Sequence, residues 1–163
     1  MPELPIDDRR ALAESIAKKL NATIAGPDEI ADTTFREFQF RYDAASNRLG
    51  CWVYVGWFYP SGPLKANPYL LEAVRRELAK PDIARKDGGG DGVFKFDENG
   101  QLFLVWEFEV VANADVDQLR SSVLAVRRTG AIWRTKGLSA LMDSLIPGVR
   151  QRMQREAERA VSI

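Results

Sequence analysis

Residues 93–111 constrain this chain more than any other stretch. Val93-Phe94-Lys95-Phe96 leads into Asp97-Glu98-Asn99-Gly100, and a longer apolar-rich run follows from Gln101 to Val111. An Asn-Gly pair between two such runs signals a β-hairpin, because both residues tolerate φ > 0. Leu102, Leu104, Trp106, Phe108 and Val110 are all apolar. The strand period of two lines them up as one unbroken face. That face needs a cover, and the helical pattern that begins near Asp115 can supply it.

The rest of the chain reads around this unit. Residues 8–20 carry Leu12, Ile16 and Leu20 with Ala13 and Ala17, the stripe of an amphipathic helix capped by Asp7 or Asp8. Residues 26–34 read as a connector, with room for a further strand in 22–34, around 22–25. Residues 35–42 read as a strand with Phe38, Phe40 and Tyr42 on one side and Glu37, Gln39 and Arg41 on the other. After a turn at 43–48, residues 49–59 form a strand that is apolar on both faces. Trp52, Tyr54 and Phe58, with Gly56, fall on one face, and Cys51, Val53, Val55, Trp57 and Tyr59 on the other. Asn67-Pro68 starts a helix whose stripe is Leu70, Leu71, Val74 and Leu78.

Beyond the hairpin, Leu119, Val123, Val126, Gly130 and Trp133 track one side of a long helix. Gly130 inside that stripe suits close approach to the sheet. Gly137 bends or interrupts the chain, a short helix covers 138–146, and Pro147-Gly148 separates it from a last charged helix at 149–160. Hairpin-length connections favour an antiparallel sheet with helices against one face, an α+β sandwich. The expectation is one α+β domain over residues 1–163, with 138–163 as a helical C-terminal extension.

Composition narrows the chemistry. The 163 residues include no histidine and one cysteine, Cys51. This excludes Ser-His-Asp and Cys-His catalysis, His-ligated metals and an internal disulfide. Cys51 without a histidine to activate it reads as core. Glu107 and Glu109 share a strand face at a spacing of about 7 Å, which general acid–base pairs use. Such pairs usually come from different elements, so these two read as a solvated face, with Lys95 opposite. The Gly-rich loop at 86–92 leads into a strand and lacks the Gly-Lys-Ser/Thr closure of a phosphate cradle. No catalytic, metal or cofactor site is expected. No apolar run is long enough for a membrane span, and the acidic N-terminus is unlike a signal peptide, so the cytoplasm is the expected location.

Charge is uneven although the total is zero. From Arg120 onward nine Lys/Arg face three acidic residues, so the last 44 residues carry a formal charge of +6. Basic C-terminal helices raise the alternative of a nucleic-acid binder. The aromatic strand at 49–59 holds almost no Lys or Arg, which weighs against a nucleic-acid partner.

The order of elements resembles the class I type III secretion chaperones, the CesT-like family. The resemblance rests on Phe38-Gln39-Phe40-Arg41-Tyr42, the apolar strand that follows, Leu70-Leu71-Glu72-Ala73-Val74, Gly92-Val93-Phe94-Lys95-Phe96-Asp97, Gly100-Gln101-Leu102-Phe103-Leu104, and the helix with Leu119, Val123 and Trp133. It covers about two-thirds of the chain. YbjN-like proteins, with a regulatory or interaction role, are similar in the same sense. The resemblance implies a non-enzymatic homodimer that binds the extended N-terminal segment of a secreted effector and keeps it soluble and secretion-competent. It also implies a dimer contact through the middle helix, with Leu70, Leu71, Val74 and Leu78 as candidates. Residue by residue, the client-binding candidates are Trp52, Val53, Tyr54, Val55, Trp57 and Phe58. The chain departs from the family's common acidity, and its tail is longer.

Overall fold

The structure is a computed structural model that describes residues 6–25, 38–57, 68–80, 83–84 and 92–161. Its elements run α1 (Ile6–Ala25), β1 (Phe38–Asp43), β2 (Arg48–Trp57), α2 (Pro68–Leu78), β3 (Val93–Phe96), β4 (Gln101–Glu109), α3 (Val116–Ile132), a π-helical turn (Trp133–Gly137) and α4 (Leu138–Val161). The four strands form one antiparallel sheet in the order β1-β2-β4-β3. Helices cover one face, so the architecture is the α+β sandwich that the alternation implies. Among the described residues no helix is long and apolar enough to cross a membrane.

The register explains which side chains the helices receive. Phe38 pairs with Val53, Phe40 with Cys51 and Tyr42 with Leu49. Cys51 pairs with Trp106, Val53 with Leu104, and Phe94 also with Leu104. Directly opposed residues share a face, so these make the inner face. Leu49, Cys51, Val53, Leu102 and Leu104 are all buried there. Helix α3 seals the face with Val123, Val126, Thr129 and Gly130. A Cβ at Gly130 would stand 2.4 Å from Val53 Cγ1. Only a residue without a side chain lets α3 come this close to β2. Helix α1 adds Ala13, Ile16 and Leu20, and α2 adds Val74 and Leu78.

Local chemistry sets the element ends. Asp115 caps α3, its carboxylate accepting from the N–H groups of Asp117 and Gln118 at 3.1 and 3.2 Å. In the β3–β4 turn only Gly100 takes a positive φ, +77°. Asn99 does not, contrary to the expectation that both residues use the left-handed region. Asp97 holds the turn instead, accepting from Asn99 N and Gln101 N at 2.9 and 2.8 Å. Asn47 has φ 53° in the β1–β2 turn, accepts from Tyr42 Oη at 2.7 Å and donates to Val110 O at 3.1 Å. It ties that turn to the end of β4.

Three expected boundaries are corrected. Helix α1 runs on to Ala25, so residues 22–25 are helical and hold no strand; nothing in Asn21-Ala22-Thr23-Ile24 breaks a helix before Gly26-Pro27. Gly137 does not interrupt the chain. Ile132, Trp133 and Leu138 keep α-helical dihedrals, and the π-helical turn absorbs the junction. Pro147-Gly148 does not divide α4 either. An internal proline costs a helix about 3 kcal/mol. Beyond it α4 is held to α2 by Arg152–Glu72 at 3.0 Å and by a hydrogen bond from Tyr69 to Glu156. The connector at 26–34, the strand start at 35–37, Phe58, Tyr59, Asn67 and the Gly-rich residues 86–91 lie outside the described residues.

Candidate binding face

The outer face of the sheet carries the other half of each strand. Trp52 pairs with Val105, Tyr54 with Phe103, Val93 with Val105 and Lys95 with Phe103. One irregularity decides its composition. Tyr54 pairs with Phe103 and Gly56 with Leu102, so β2 has an extra residue at Val55. This β-bulge reverses the alternation that follows it. Trp57 then pairs with Gln101, which shares a face with Phe103 and Val105. Strict alternation puts Trp57 beside Val53 and Val55; the bulge moves it to the side of Trp52 and Tyr54.

The aromatic rings interlock. Phe103 is buried at the centre, edge-on to Trp52 at 5.5 Å and to Tyr54 at 6.0 Å. Such pairs contribute roughly 0.5–1.5 kcal/mol beyond their buried area. Gly50 leaves room for the Trp52 indole to fold back along its own strand, since a Cβ there would meet Trp52 Nε1 at 2.8 Å. The Arg41 guanidinium lies 4.1 Å over that indole and 5.2 Å over Phe103, and Lys95 Nζ stands 5.8 Å from the indole. Trp57 Nε1 donates to Asn99 O at 2.9 Å, so its ring is fixed against the β3–β4 turn.

Charge on this face is organised by one carboxylate. Glu107 takes Lys95 Nζ on Oε1 at 2.8 Å and Arg48 Nε on Oε2 at 3.5 Å. Both oxygens are engaged by cations, which suits a positioning pair better than acid–base work. Glu109 at the strand end is exposed. Burial pushes the Tyr54 phenol up, with the Arg134 charge pulling against it. Burial likewise pushes the Cys51 thiol up against the weaker pull of Arg127, which leaves it an inert core group. Among the described residues no cluster of His, Cys, Asp or Glu is arranged to hold a metal.

The candidate client residues therefore separate. Trp52, Tyr54 and Trp57 come together, half-buried, on the outer face. Val53 and Val55 are 3% and 2% exposed and belong to the chain's own core. Phe58 is outside the described residues. Val93, 62% exposed at the margin of this face, and the cations Arg41 and Lys95 are not among the client-binding candidates named from the sequence. Arg41 and Lys95 were legible as the polar members of alternating strands; their stacking on Trp52 was not. The dimer candidates on α2 also separate. Val74 and Leu78 are buried within the chain, whereas Leu70 and Leu71 are half-buried against its core.

No family model matches the chain, and no curated protein matches it. Among solved structures it is similar to a chain of the crystal structure of the ExsC-ExsE complex. The TM-score is 0.47 at 17% identity, over 83% of this chain and 96% of that one.

Proposed function

We propose that the chain is a non-enzymatic protein-binding protein of the chaperone type, which holds an extended segment of a client on the outer face of its sheet. The observation that carries this reading is the bulge at Val55, which gathers Trp52, Tyr54 and Trp57 on one half-exposed face bordered by Arg41 and Lys95. An extended peptide offers alternate side chains at the spacing of a sheet, so apolar residues meet the rings while neighbouring carboxylates meet the cations. The resemblance of the element order to the class I type III secretion chaperones supports a secreted effector as the client and its N-terminal segment as the part held. A homodimer belongs to the same reading, with Leu70 and Leu71 as the half-buried remainder of the α2 stripe.

The test is recovery of tagged protein from its source cells, with mass spectrometry of what accompanies it and molar mass in solution. The expected result is a dimer carrying one dominant protein partner through its N-terminal segment. Trp52→Asp and Trp57→Asp should lose that partner while keeping a native circular dichroism spectrum. A clean monomer without a protein partner sinks the proposal. Failure of both variants to fold would make these residues core and move the site elsewhere.

A further inference from the structure

The outer face ends in a hollow beside its rings. Among the described residues β3 pairs with β4 only as far as Val93–Val105, whereas β4 runs on beside β2 to Glu109. At that corner Arg48, Val93, Lys95, Val105, Trp106 and Glu107 line an open cavity of about 250 Å³. Val93 and Val105 are opposed across β3 and β4, so both belong to the outer face. Val105 is 2% exposed at depth, and Val93 is 62% exposed. Edge strands usually turn charged side chains to water. Val93 does the opposite, which suits a residue that something else covers.

The polar wall is set in advance. Glu107 holds Lys95 Nζ at 2.8 Å and Arg48 Nε at 3.5 Å, and Arg48 Nη2 also donates to Glu107 O at 3.3 Å. Ion pairs this exposed add little stability. They do fix two long side chains whose charged heads are tied to one carboxylate and whose methylene stems offer apolar surface. A cavity shaped before its occupant arrives lowers the ordering cost of binding.

One aliphatic side chain fits this hollow in size and chemistry. Pockets for small molecules run to roughly 300–1,000 Å³ and enclose most of the ligand. This one is smaller and open. A lysine would meet two cations, and a carboxylate would lie against Glu107. The hollow also continues the ring surface, because Lys95 stands both against Glu107 and 5.8 Å from the Trp52 indole.

We infer that this corner seats one aliphatic side chain of an extended client segment, an anchor that sets the client's register on the rings. The inference rests on the outer face being the client site. Trp57 marks the row of Gln101 and Trp52 the row of Val105, about 13 Å apart along β4. A client running along the strands therefore carries its anchor four residues from the side chain that meets Trp57, on the same side of its own backbone.

The experiment titrates the full chain into fluorescent peptides that carry Phe, Phe and Leu at alternate positions among Thr and Ser, in both orders, Phe-x-Phe-x-Leu and Leu-x-Phe-x-Phe. In companion peptides Ala or Lys replaces the Leu. One order should bind about tenfold more tightly with Leu than with Ala, as expected for partial burial of a leucine side chain. The Lys peptide should bind more weakly still. Val93→Asp should reduce the Leu peptide to the affinity of the Ala peptide. Val161→Asp makes the same change at an exposed position on α4 and should leave the preference for Leu in place. Thermal melts identify a variant that has lost its fold, and Val93→Ser then replaces Val93→Asp. Trp52→Ala reports on the face itself and should weaken the Leu and Ala peptides alike. Binding that needs Trp52 but is equal for Leu and Ala, or for Leu and Lys, overturns the anchor and leaves the outer face as the client site. So does a preference for Leu that survives Val93→Asp or is lost equally in Val161→Asp. Absence of binding, or binding indifferent to Trp52→Ala, overturns both.

Discussion

The inner and outer faces of the sheet are built from alternate residues of the same four strands, yet they are made differently. The inner face is aliphatic at its centre, with Leu102 and Leu104 fully buried under α3 and a glycine placed so that the helix can approach. The outer face mixes rings with cations. Among its described side chains Phe103 and Val105 are sealed, while Trp52, Tyr54 and Trp57 keep accessible surface. Inner residues contribute their burial energy to folding. Outer residues retain part of theirs for something else to cover, and a set of half-exposed aromatics is the composition that binding surfaces favour.

The contrast in stability should be largest for truncation at paired depths. Leu104→Ala removes a fully buried side chain and should cost about 3 kcal/mol, because the cavity relaxes only in part. Tyr54→Ala should cost about 1 kcal/mol, chiefly its edge contact with Phe103. Urea denaturation measures both. Equal losses would mean that the outer face is core as well, and the contrast would fail.

Gly130→Ala tests how closely the inner face is sealed. Helix propensity alone favours alanine by about 1 kcal/mol. The new methyl would overlap Val53, a short branched side chain with little room to turn away. Overpacking of this kind costs about 1–3 kcal/mol, so a net loss of up to about 2 kcal/mol is expected. Combining it with Val53→Ala should recover about 1 kcal/mol relative to the sum of the two single changes. A stabilised Gly130→Ala would show that α3 stands farther from β2 than described.

Alkaline pH separates the faces through one titrating group on each. Burial raises the Cys51 thiol on the inner face and the Tyr54 phenol on the outer. A group whose folded pKa is raised contributes stability below its unfolded value and loses it as pH rises towards the folded one. Stability should therefore begin to fall above about pH 8.5 for Cys51 and above about pH 10 for Tyr54. Cys51→Ala should flatten the first part of that fall and Tyr54→Phe the later, smaller part. Denaturation curves collected across this range check the order.

Much of this architecture was legible in sequence. Alternation gave both hairpins, the inner face of β4 and the side of β1 that meets the helices. The spacing of Leu119, Val123, Val126 and Gly130 gave α3 and its contact with the sheet. What escaped was local and depended on tertiary context. A bulge has no composition of its own, so strict alternation carried Trp57 to the wrong face. Pro147 reads as a break in any isolated helix, and only the contacts between α4 and α2 show how the helix continues through it.

The smallest expected effect concerns the carboxylate on the outer face. Glu107→Gln removes the charge that Lys95 and Arg48 share, at side chains that remain one-third to nearly one-half exposed. Ion pairs so wet contribute about 0–1 kcal/mol, because solvent screens them and ordering the side chains offsets the attraction. A loss below about 1 kcal/mol is expected, shrinking further in high salt. The substitution has a second consequence. Lys95, released from Glu107, is free to swing towards the Trp52 indole, where it now stands 5.8 Å away. Quenching of tryptophan fluorescence should then change without unfolding. If stability instead drops by several kcal/mol, Glu107 is a structural keystone of the sheet, and the outer face is less available for a client than its exposure indicates.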